Sequence, residues 1–107
     1  MKGLPGGMQA LMKQANQMQA RMKKLQDELA TREYEGTSGG GAVIIKINGD
    51  HKLLAVTINP DVVQAGDLEM LQDLILTATN DAVKLAKDTS QKEMEKVTGG
   101  LNFPGLF

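Results

Sequence analysis

Apolar residues recur through one stretch of this chain at alternating steps of three and four: Met8, Leu11, Ala15, Met18, Met22, Leu25 and Leu29. No Gly or Pro interrupts residues 8–30, and the good helix formers Gln, Lys, Met, Ala and Leu dominate there. The alternation is that of heptad a and d positions, so the stretch predicts a long helix with a narrow, coiled-coil-like seam. Met12 widens the stripe by one residue. At ~1.5 Å per residue the helix is ~33 Å long. So narrow a stripe on so long a helix packs on one neighbour; it does not sink into a broad core.

The next segment changes period. Residues 42–47 and 52–58 are rich in β-branched and aliphatic side chains and read as strands. Between them Asn48-Gly49-Asp50-His51 is a hairpin signal, because Asn-Gly tolerates positive φ. A weaker strand is expected at roughly 32–37, with Gly39-Gly40-Gly41 turning the chain. The result is a two- or three-stranded antiparallel meander. Leu54, Val56 and Ile58 can share one face, and Val43, Ile45 and Ile47 another. Ile44 makes the first of these strands apolar on both sides, so the sheet is expected to need cover on both faces, from helices or from a second subunit.

Asn59-Pro60 then starts a helical turn, with Asn as N-cap and Pro at the first helical position. Gly66 interrupts it, and Asp67 is a plausible N-cap for a helix from about Leu68 to Thr98 that stops at Gly99-Gly100. Leu71, Leu74, Ile75, Ala78, Ala82, Val83, Leu85 and Ala86 lie at helical spacing in its first half. Lys87 to Lys96 is nearly all polar, with only Met94 and then Val97, and reads as exposed. The expected architecture is α+β: a long N-terminal helix, a small meander and a long C-terminal helix, in a single domain over residues 1–107. Residues 1–7 and 99–107 are expected to be flexible, although the apolar LNFPGLF tail could also dock late. A 107-residue chain buries less of its surface than a larger one and gains from a partner, so a homodimer is expected. Ile45, Ile47, Val56, Ile58, Leu71 and Ile75 should build the core and the dimer contact.

Chemistry is hard to place on this chain. It has no Cys and one His, which excludes disulfides, a thiol nucleophile and the usual zinc ligand sets. His51 sits in a tight turn and reads as solvated, without the pocket a general base needs. Thr37-Ser38-Gly39-Gly40-Gly41 is Gly-rich, but it enters a strand and no Gly-Lys-Ser/Thr follows, so it does not cradle phosphate. Asp61, Asp67, Glu69 and Asp73 gather near a helix start, where acids favour the helix dipole; no calcium-loop spacing appears. No catalytic residue, metal, cofactor or small-molecule substrate is therefore expected. No apolar run approaches the ~18 residues of a membrane span, and the start lacks the apolar core of a secretory signal. A cytoplasmic protein that makes no membrane contact is expected.

A net charge of −1 hides a polarity. Residues 1–24 carry Lys2, Lys13, Arg21, Lys23 and Lys24 and no acid, whereas residues 59–98 carry eight acids against four lysines. At ~100° per residue, Lys13, Arg21, Lys23 and Lys24 fall opposite the apolar seam of the first helix. This is either an ordinary amphipathic face turned to water or a basic rail for phosphates. Tyr34, Phe103 and Phe107 are too few and scattered for a base-stacking platform, so a nucleic-acid partner would be duplex DNA gripped by its backbone.

Three stretches together resemble the YbaB/EbfC family of nucleoid-associated proteins: GGMQALMKQANQMQARMKKLQDELA, YEGTSGGGAVIIKINGDHKLLAVTINP, and LQDLILTATNDAVKLAKDTSQKEMEKVTGG followed by the Pro-Gly tail. The resemblance covers essentially the whole chain and rests on the order and combination of segments, not on one motif. It implies a tweezer-like homodimer of the bacterial cytoplasm and nucleoid that binds DNA, with an influence on nucleoid organisation and gene expression, and no enzymatic activity. By that resemblance the DNA contacts lie on the terminal helices, at Lys13, Arg21, Lys23 and Lys24. Lys84, Lys87, Lys92 and Lys96 are weaker matches, being interleaved with Asp88, Glu93 and Glu95. The rival reading is a coiled-coil protein-binding adaptor or holdase-like clamp, which the same helix–hairpin–helix order would suit.

Overall fold

The computed structural model describes residues 6–99. Within them the chain forms α1 (Gly6–Thr31), β1 (Glu33–Ser38), β2 (Val43–Asn48), β3 (Leu53–Ile58), a short α2 (Pro60–Gln64) and α3 (Leu68–Thr98). Gly6 and Gly7, expected in a loose start, belong to the first turn of α1. The expectations for residues 1–5 and 100–107 lie outside the described residues.

The helix ends follow local chemistry. The Asn59 side chain accepts from the Asp61 N–H with Pro60 behind it, and the Asp67 carboxylate accepts from the Met70 N–H at 3.0 Å. Gly99 closes α3 in the left-handed region at φ 64° and donates its N–H to the Glu95 carbonyl. The β2–β3 turn departs from expectation. Its left-handed residue is His51, at φ 65°, and neither Asn48 nor Gly49. The His51 N–H donates to the Asn48 carbonyl at 2.9 Å, and the Asn48 side-chain oxygen accepts from Asp50 and Lys52. The hairpin thus uses a three-residue loop, with one turn followed by a left-handed residue. Gly49 is needed for a different reason: a Cβ there would strike the Leu29 carbonyl, because the turn is pressed onto the end of α1.

The sheet is antiparallel in the order β1-β2-β3. Ile45 stands between Gly36 and Val56, and Ile47 between Tyr34 and Leu53, with an irregularity at Lys46/Ile47. One face is apolar. Tyr34, Val43, Ile45 and Ile47 are buried there with Ala78, Ala82 and Ala86 of α3. The reverse face carries Glu33, Glu35, Thr37, Lys46 and Thr57, with Ile44 only half-buried. The two-faced apolar sheet expected from Ile44 is therefore not formed: a single isoleucine among polar neighbours does not create a second core.

α3 lies over β1 and β2, running antiparallel to β1. A Cβ on Gly36 would collide with the Ala78 carbonyl and the Ala82 nitrogen, so the helix reaches the sheet at backbone contact. The Ser38 hydroxyl donates to the Leu74 carbonyl at 2.6 Å, and the Asp81 carboxylate accepts the Thr37 N–H at 3.0 Å on the outer edge of β1. Ile58, Leu71 and Ile75 pack half-buried against this core. Val56, expected inside, is 49% exposed. The cause is geometric: β3 lies beyond the strip that α3 covers.

The second half of α3 is not the free polar arm that its composition predicts. α1 packs along it. Met18, Met22 and Leu25 of the heptad seam are half-buried and Leu29 is buried, while Ser90, Met94 and Val97 are half-buried and Thr98 is buried. The seam continues past this contact, so Met8, Leu11 and Met12 stand exposed. The molecule is a rod of 77 × 22 × 17 Å with a radius of gyration of 21.0 Å, against about 13 Å for a compact chain of this size.

Candidate nucleic-acid interface

The rail and the packed seam occupy opposite sides of α1. With Lys13 at zero, Met18, Met22, Leu25 and Leu29 fall between about 120° and 180° round the helix, and these are the residues withdrawn from solvent. Lys13, Arg21, Lys23 and Lys24 are all exposed. From Lys13 to Lys24 the rail runs ~16 Å, about half a turn of duplex DNA. Among the described residues no carboxylate lies within ion-pairing distance of any of the four. Gln9, Asn16 and Gln17 line a shallow furrow with Lys13, and Lys23 and Lys24 border a second one that Asp27 and Glu28 close.

The α3 lysines divide. Lys84 is bound to Asp88 at 2.6 Å, one helical turn on, and Lys96 to Glu93 at 3.3 Å. The hydrogen bond between Lys84 and Asp88 and their mutual attraction raise the ammonium above its usual range; the same hydrogen bond holds the carboxyl below its own. Lys87 and Lys92 have no such partner among the described residues. The interleaved acids thus occupy half of this set, and six cations of the α1–α3 arm have no carboxylate partner among the described residues.

The acids collect at the other end. Asp61, Asp67, Glu69 and Asp73 stand near the start of α3, where Asp67 caps the helix. Asp67, Glu69 and Asp73 edge an open furrow with Ser38 and Gly39. Among the described residues no three potential ligands converge on one point, and His51 is exposed in its turn. No described helix is long and apolar enough to cross a membrane.

The exposure of one surface was not visible in the periodicity. Leu53, Leu54 and Val56 on β3, Val63 on α2, and Leu68 and Leu76 on α3 are all between 45% and 66% exposed. Leu74 and Asp81 mark the flank of α3 over β1, so Leu68, Ile75, Leu76 and Val83, about 60–160° round from Ala78, mark the flank toward β3. β3 and this flank therefore both leave apolar side chains in solvent. The trace of this in the sequence is an excess of aliphatic residues that one small sheet cannot bury.

The rest of the chain's character comes from its relatives. It is 52% identical over 107 residues to a nucleoid-associated protein of Clostridium novyi, covering 98% of this chain and 94% of that one. It is 49% identical to a nucleoid-associated protein of Caldanaerobacter subterraneus, covering 98% and 96%. A crystal structure of an uncharacterized protein from Helicobacter pylori superimposes with a TM-score of 0.70 at 21% identity, covering 91% of this chain and 100% of that chain. That likeness shows the fold. The model of the YbaB/EbfC DNA-binding family matches residues 4–101, and with relatives at about half identity along nearly the full length, the chain belongs to that family.

Proposed function

We propose that the protein is a homodimeric, nucleoid-associated DNA-binding protein of the cytoplasm that grips duplex DNA through its phosphates and so influences nucleoid organisation and gene expression. The observation that carries the reading is the rail: Lys13, Arg21, Lys23 and Lys24 exposed on the unpacked side of α1, free of carboxylate partners among the described residues. Lys87 and Lys92 extend the positive surface, and Lys84 and Lys96 contribute less because Asp88 and Glu93 neutralise them. Phosphate contacts position a protein without reading bases, so selectivity among sequences is low. The exposed apolar residues of β3 and of the neighbouring flank of α3 form the dimer contact. It fits a second copy because a patch so rich in Leu and Val is otherwise unfavourable in water.

Fluorescence anisotropy on duplex DNA at several salt concentrations tests this reading. Replacing Lys13, Arg21, Lys23 and Lys24 together by Gln keeps helix propensity and removes charge; the variant should stay folded and lose most binding. Undiminished binding at matched salt would reduce the rail to a solvated face. The clamp reading, which the exposed Met8, Leu11 and Met12 favour, would then lead.

A further inference from the structure

α3 stops before the seam of α1 does. Met18 is the first seam residue withdrawn from solvent, and N-terminal to it Met8, Leu11 and Met12 are 48%, 66% and 53% exposed, with Ala15 also exposed. These residues continue the stripe that α3 covers lower down, and the chain leaves α3 at Gly99, beside the point where cover runs out. Residues 100–107 follow and contain Leu101, Phe103, Leu106 and Phe107, including both phenylalanines of the protein. From this placement we infer that residues 100–107 dock on the open seam of α1 in the same chain and complete the packing that α3 begins.

Three quantities favour this occupant. The first is reach. The seam from Met18 to Met8 rises ~15 Å, and eight extended residues span up to ~26–29 Å. The second is chemistry. Met8 and Met12 are flexible thioethers that make favourable contacts with aromatic rings, so two phenylalanines suit this stripe better than a polar partner. The third is concentration. A short tether presents its segment at an effective concentration on the order of millimolar, which a second copy at micromolar concentration does not match. Met8 and Leu11 lie about 140–160° round α1 from Lys13 and Met12 borders the furrow that Lys13 lines, so docking centred on Met8 and Leu11 leaves the rail open to phosphate while stiffening the arm that carries it.

Methyl NMR on the full chain, with ¹³C in the methionine methyls, tests the docking directly. In the parent protein the Met8 and Met12 methyls should be shifted upfield by ring currents and show NOEs to the ring protons of Phe103 or Phe107. In the Phe103→Ser, Phe107→Ser double variant those shifts should be lost, while Met70 is unmoved. Isotope-filtered NOEs on a mixture of labelled and unlabelled chains identify the donor of the ring. Contacts within one chain support the inference. Contacts only between chains would put a second copy on the seam and overturn it, as would ring contacts to Leu53, Leu54 or Val56. Met8 and Met12 methyls with the same shifts in parent and variant, and with no aromatic NOE, would also overturn it.

Discussion

Two residues illustrate how little of this molecule is slack. Gly36 has no side chain because α3 sits on it: a Cβ would meet the Ala78 carbonyl and the Ala82 nitrogen, both backbone atoms that move only with the helix. Gly36→Ala should therefore lift α3 from β1 and cost about 1–3 kcal/mol, as overpacking does, read as a lower urea midpoint. Gly40→Ala is the contrasting control for crowding, since open space surrounds it, although its left-handed backbone at φ 67° carries its own strain. Asp88 bears on the proposed DNA contact rather than on the fold. It neutralises Lys84 at 2.6 Å, and the pair survives acidification because Lys84 holds that carboxyl below its usual range. The sign follows: an acid with a depressed pKa keeps its charge, and the pairing with it, until pH falls through the lowered value. Lowering pH from 7 to 5 should not release Lys84. Asp88→Asn should release it at once, tightening duplex binding at low salt and steepening the salt dependence by up to about one unit per freed lysine that reaches a phosphate.

On the proposed reading α1 carries the DNA contact, and α3 serves mainly as its support. Changing Lys84, Lys87, Lys92 and Lys96 to Gln should therefore weaken DNA binding less than changing Lys13, Arg21, Lys23 and Lys24, because Asp88 and Glu93 already neutralise two of the α3 lysines. Anisotropy titrations of both variants at one salt concentration check the order; equal losses would mean that DNA lies along both helices. The features legible in the sequence are those decided by near neighbours. Asn59, Asp67 and Gly99 cap their helices through atoms a few residues away, and the heptad seam lies where its spacing puts it. The features that escaped depend on distant contacts. Val56 is exposed because Gly36, Ala78 and Ala82 fix α3 over β1 and β2, and nothing within β3 records that choice. The half-buried Met94 and Val97 follow from the arrival of α1 alongside a helix whose own composition is polar. Of the candidate interface, the positions of the cations on α1 were readable from periodicity, but the pairing of Lys84 and Lys96 needed side-chain geometry.

For the whole molecule the charge argument becomes a statement about valency. A net charge of −1 means that no overall field draws the protein to DNA, and a dimer at about −2 is mildly repelled. On the proposed reading binding comes from the local rails, and one rail meets few phosphates. If three of its four cations engage, a single arm neutralises about three phosphates, and log K falls against log salt with a slope of about −3; a dimer using both arms gives about −5. The second arm binds from an effective concentration that the first has set, so affinity rises by more than the number of contacts suggests. Dimerisation should therefore be separable from folding and tightly coupled to DNA affinity. Leu76 is the residue to test, because it is 61% exposed in the single chain and lies on the flank of α3 toward β3. Leu76→Asp buries no charge in the protomer and should leave the melting temperature of an isolated chain nearly unchanged, whereas Ile45→Asp, at a fully buried position, should unfold it. Sedimentation should find Leu76→Asp at about 11.5 kDa where the parent sediments at about twice that mass. Its salt slope should fall from about −5 to about −3. A monomeric Leu76→Asp variant that kept the parent's slope would mean that one arm already makes every phosphate contact, and the dimer would then serve something other than DNA affinity.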